Sequence, residues 1–80
     1  MNVTHELTFT RKCPVNDAQD RYQLVVQATW LIKVEDILAA VKALPEKAFQ
    51  EDITTELATK LGCHVTTTGY HSGVKTTCTA

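Results

Sequence analysis

The sequence predicts an α+β fold, a ββααββ unit in which a four-stranded antiparallel sheet carries two helices on one face. Three observations predict it: apolar residues alternate with polar ones near both ends of the chain, the spacing switches to i, i+3, i+4, i+7 in the middle, and turn residues punctuate the joins. Val3, His5, Leu7 and Phe9 alternate with Thr4, Glu6 and Thr8, which predicts a half-buried strand over Val3 to Lys12. Pro14, Asn16, Asp17 and Asp20 mark a loop. Tyr22, Leu24, Val26, Ala28 and Trp30 then share one face of a second strand, antiparallel to the first. Val34, Ile37, Leu38, Val41 and Leu44 form one face of a helix that Pro45 ends. Phe49, Ile53, Leu57 and Leu61 give a second helix over Gln50 to Leu61, with Gly62 suited to a left-handed cap. Thr- and Val-rich segments, Cys63 to Thr68 and Val74 to Thr79, predict a hairpin around a five-residue loop, Gly69 to Gly73.

Eighty residues leave room for one domain, residues 1–80. A domain of this size buries only about 60% of its unfolded surface, and the sheet's second face and both edges remain uncovered. A homo-oligomer is therefore expected. Eight basic and nine acidic side chains, net charge −1, supply no broad cationic field for non-specific nucleic-acid binding. No apolar run approaches the ~20 residues of a membrane span, and Met1 to Glu6 lacks the basic and apolar regions of a signal peptide. The expected location is the cytoplasm, with no membrane partner. Three cysteines are an odd number, so at least one free thiol is expected.

Cys13 stands where the first strand ends, before Pro14, in a polar loop open to a ligand. A small buried apolar residue also explains it, and nucleophilic work requires local activation. Asp17 and Asp20 suit a turn. Glu51 and Asp52 suit the first turn of a helix through the dipole, but a carboxylate there also accepts two parallel N–H bonds from the edge of a guanine- or pterin-type ring. Cys63, His64, His71 and Cys78 have metal-compatible atoms at spacings that match no compact zinc motif, so no metal site is expected. Cys63 and Cys78 are expected as cross-strand neighbours, and His71 as an exposed loop residue. Phosphate-loop, dinucleotide-fold and nucleophile-elbow motifs are absent.

The stretch Phe9-Thr10-Arg11-Lys12-Cys13-Pro14-Val15-Asn16-Asp17-Ala18-Gln19-Asp20 resembles the Phe-Thr-Ser-x-Cys-Pro-Val-Thr-Gly-Gln-Pro-Asp loop of the queuosine-pathway nitrile reductase family, QueF. Ala48-Phe49-Gln50-Glu51-Asp52 is similar to that family's Phe-His-Glu-Asp segment, and Gly69 to Val74 to its last hairpin. The resemblance implies a tunnelling fold whose ββααββ units close into oligomeric barrels with sites at subunit interfaces, so that Glu51 of a neighbouring copy is expected beside Cys13. It implies Cys13 as the nucleophile and Asp20 as the acid, with Glu51, Gln50 and His71 binding the substrate.

The chain departs from the family pattern in three places. The nicotinamide segment should fall near Val34 to Val41 and its lysines and aromatic are missing, so NADPH is not an expected cofactor. Gln50 replaces the histidine before the glutamate, and the last hairpin lacks its arginine. The chain looks closer to the archaeal QueF-like amidinotransferases, which lack the nicotinamide motif. That likeness implies attack of Cys13 on the nitrile of 7-cyano-7-deazaguanine, free or in tRNA, to give a thioimide. Arg11, Lys12, Lys33 and Lys75 are the candidates for a basic surface toward nucleic acid. The alternatives are an oligomeric purine- or pterin-binding module without turnover, an NADPH-dependent nitrile reductase, and a zinc-dependent enzyme of cyclohydrolase type.

Overall fold

The two alternating ends of the chain form one sheet. In a computed structural model that describes residues 1–80, β1 (Val3–Lys12), β2 (Gln19–Ala28), β3 (His64–His71) and β4 (Val74–Thr79) pair antiparallel in the order β1-β2-β3-β4. Two helices, α1 (Val34–Lys42) and α2 (Gln50–Leu61), are inserted between β2 and β3. This is the predicted α+β arrangement. α2 lies against β3 and β4, and α1 packs on α2. No helix is long and apolar enough to cross a membrane.

Period-two burial along β2 sends Tyr22, Leu24 and Val26 into the core, where they meet Val65 of β3, Ile53 and Leu57 of α2, and Ile37 and Val41 of α1. The inward residues of β1, from Val3 to Phe9, are only half-buried, because on that face α2 sits over β3 and β4, away from β1. α2 starts at Phe49, an extended N-cap without a capping side chain, and ends at Gly62, whose φ of 65° is the left-handed value the sequence anticipates.

Two boundaries differ from the sequence reading in ways that matter for the site. β2 begins at Gln19 and ends at Ala28, whereas the apolar alternation suggests Tyr22 to Trp30. Asp20 therefore belongs to a strand, paired with Arg11 and on the same face as Tyr22, and Trp30 lies beyond the sheet. The last hairpin has a two-residue turn, Ser72-Gly73, with φ of 51° and 83°, in place of a five-residue loop. Positive φ at both positions is the hairpin geometry that matches strand twist. Gly69 is a strand residue because Tyr22 packs on it: a Cβ there would stand 2.7 Å from the Tyr22 ring.

Candidate active site

The segment between the helices delivers the start of α2 to the end of β1. Lys12 donates its backbone N–H to the Glu46 carbonyl at 3.0 Å, and Ala48 donates to the Lys12 carbonyl at 3.3 Å. Lys47 Nζ meets Asp17 Oδ1 at 2.6 Å and ties the same segment to the β1–β2 turn. That turn is closed by the Cys13 N–H on the Ala18 carbonyl at 2.8 Å and the Asp17 N–H on the Cys13 carbonyl at 2.9 Å. Residues far apart in sequence thus border one pocket of about 260 Å3. Cys13 and Pro14 come from the turn, Asp20 and Tyr22 from β2, Ala48 to Glu51 from the entry to α2, His71 from β3 and Thr76 from β4. Larger open grooves exist, one of about 620 Å3 between Trp30 and Leu61, but none of the five sequence-predicted site residues lines that one.

Cys13, Asp20, Gln50, Glu51 and His71 all line the same pocket. Glu51 belongs to the same chain as Cys13, so their meeting does not require the neighbouring copy that the sequence reading supplies. Asp20 is well shielded, with its side chain 11% exposed, while Glu51 stands at the rim. His71 is drawn in from its expected exposed position: as the last residue of β3 it places Nδ1 3.5 Å from Asp20 Oδ2 and Nε2 2.8 Å from Gln50 Oε1. The Gln50 side chain is buried, and its nitrogen approaches the Thr67 carbonyl at 3.1 Å and the Thr76 carbonyl at 3.0 Å.

Tyr22 is the residue of the pocket that sequence reasoning passes over. Its hydroxyl makes a long contact, 3.5 Å, to Asp20 Oδ2. Burial first, and the neighbouring Asp20 charge second, push the phenol up to about 12. It therefore remains a proton-bearing donor at neutral pH. The signal was present as i, i+2 spacing on one strand face, masked because Tyr22 also reads as core. Phe49, half-exposed at the pocket wall, presents an aromatic ring beside Glu51.

The remaining candidates do not gather. Cys78 faces Thr67 across the sheet, and Cys63 precedes β3, so these two cysteines are not cross-strand partners. All three thiols are free. Burial pushes the Cys63 thiol up, which favours its inert protonated form. No three His, Cys, Asp or Glu side chains form a group able to hold a metal ion. The basic candidates are dispersed: Arg11 donates to the Val41 carbonyl near the end of α1, Lys12 pairs with Glu46, and Lys33 precedes α1. Lys75 is instead exposed on β4.

No protein-family model matches the sequence, and no curated protein does. Among solved structures, the chain is similar to the archaeosine synthase QueF-Like in its apo form, with 17% identity, a TM-score of 0.77, and coverage of 99% of this chain and 90% of that one. At that identity the likeness establishes a shared ββααββ fold.

Proposed function

We propose that this pocket is the active site of a QueF-like enzyme that acts on the nitrile of a 7-cyano-7-deazaguanine group and transfers nitrogen to it. The observation that carries the reading is the convergence of Cys13, Asp20 and Glu51 on one small pocket, in a fold similar to an archaeosine synthase. A planar bicyclic base fits the chemistry of the lining. Glu51 accepts two N–H groups from its guanine-like edge, Phe49 offers a ring face, and the nitrile points at sulfur.

The Cys13 thiolate adds its electron pair to the nitrile carbon, one C–N π bond opens, and the nitrogen takes a proton from the Asp20 carboxyl, leaving a thioimide and an Asp20 carboxylate. Ammonia, supplied by a donor, then adds to the same carbon. One of its protons returns to Asp20, the C–S bond breaks, and an amidine leaves with the thiolate restored. The α2 N-terminus, without a capping side chain, borders the pocket where negative charge is handled. Hydride transfer is disfavoured because Val34 to Val41 carries none of the lysines or the aromatic of the nicotinamide segment. The proposed location is cytoplasmic. The dispersed lysines fit a free base more easily than tRNA.

Incubation with 7-cyano-7-deazaguanine tests this by intact mass. The expected result is a gain of one whole nitrile molecule in the wild type and none in Cys13→Ala. An unmodified wild-type chain overturns the reading. If the base still binds, and binding is lost in Glu51→Ala, that result selects a purine-binding module without turnover.

A further inference from the structure

The acceptors around Gln50 fix which way its amide faces. Two backbone carbonyls, Thr67 and Thr76, face one end of its amide, and a carbonyl can only accept, so that end is the nitrogen. The Thr54 hydroxyl donates to the Gln50 backbone carbonyl at 2.8 Å. Its single proton is then spent, so the Thr67 hydroxyl, 2.6 Å away, donates to Thr54 Oγ1. Thr67 Oγ1 in turn faces the amide nitrogen at 3.2 Å as an acceptor. Gln50, Thr54 and Thr67 are 3%, 1% and 0% exposed, so water does not compete for these partners.

The other end of the amide is consequently an oxygen, and it lies 2.8 Å from His71 Nε2. Nε2 must carry the hydrogen. His71 Nδ1 is left facing Asp20 Oδ2 at 3.5 Å, where a bare ring nitrogen and a bare carboxylate would set two lone pairs against each other. We propose that Gln50 is a positioning residue that locks His71 in the Nε2–H form and so turns Nδ1 toward the Asp20 carboxyl, where a proton can pass between the two for delivery into the pocket. The chain has glutamine where the resemblance suggests a histidine, and this hub supports a histidine brought in from β3. That the proton goes to a nitrile nitrogen rests on the function proposed above, but the lock itself does not. The other titratable groups around the pair are Tyr22 on β2, Cys13 in the turn, Glu51 on α2 and Cys78 on β4.

Long-range 1H–15N NMR of the ligand-free protein reads the tautomer. The neutral His71 ring is expected to show a protonated Nε2 and a bare Nδ1. In Gln50→Leu the ring is expected to turn to the Nδ1–H form, because the carboxylate is then its only partner. A bare Nε2 in the wild type overturns the proposal even if Gln50→Leu does not fold. A protein that passes these readings yet forms no nitrile adduct keeps the lock and loses only the nitrile.

Discussion

Tyr22 joins core and pocket in one side chain: its ring packs with Phe9 and Gly69, and its hydroxyl reaches Asp20. Its phenol holds its proton up to about 12 in the folded chain, against 10.0 for a free tyrosine. Below the lower value both states are protonated and pH has no leverage. Between the two, the unfolded chain ionises first, so folding stability falls with rising pH, by at most about 1.4 kcal/mol per pH unit. Urea unfolding near pH 9 and about pH 11 is expected to show this loss in the wild type and a smaller one in Tyr22→Phe. Equal alkaline losses in the two proteins would contradict the assignment. At this scale Cys13, Asp20 and Glu51 stood out only through the family resemblance, and the fold brings all three to one pocket. The sequence did not reveal what Gln50 holds, because that depends on two carbonyls, Thr67 and Thr76, that only the folded sheet presents.

The elements were legible wherever one period ran cleanly. β1, the start of α1 and all of α2 follow their apolar spacing, and Gly62 caps α2 as anticipated. The ends of β2 and β3 escaped because polar residues and a glycine occupy inward positions there. Asp20 breaks the apolar run yet continues its parity, and Gly69 imitates a loop while making room for the Tyr22 ring. Gly69→Ala is expected to destabilise the protein by roughly 1–3 kcal/mol, since the ring it would strike is fully buried and has nowhere to move. An unchanged urea midpoint would show that β3 does not depend on this close approach.

The whole molecule explains why the site assembles within one chain. Lys12, Lys47 and Ala48 fasten the inter-helix segment to the end of β1, and that fastening sets the start of α2 beside Cys13. Subunit association remains a proposal at this scale. β1 and β4 are the unpaired edges of the sheet, and Leu7 and Phe9 on β1 are only half-covered by their own chain. Sedimentation is expected to show more than one chain per particle. A monomer at all concentrations would mean that the edges are tolerated bare.

The most direct test is a crystal structure of the protein soaked with 7-cyano-7-deazaguanine. The expected result is continuous density from Cys13 Sγ to the former nitrile carbon, the new nitrogen near Asp20, and the guanine-like edge on Glu51 of the same chain. A base seated in another groove, or in this pocket with its nitrile turned away from an unmodified Cys13, would contradict the account.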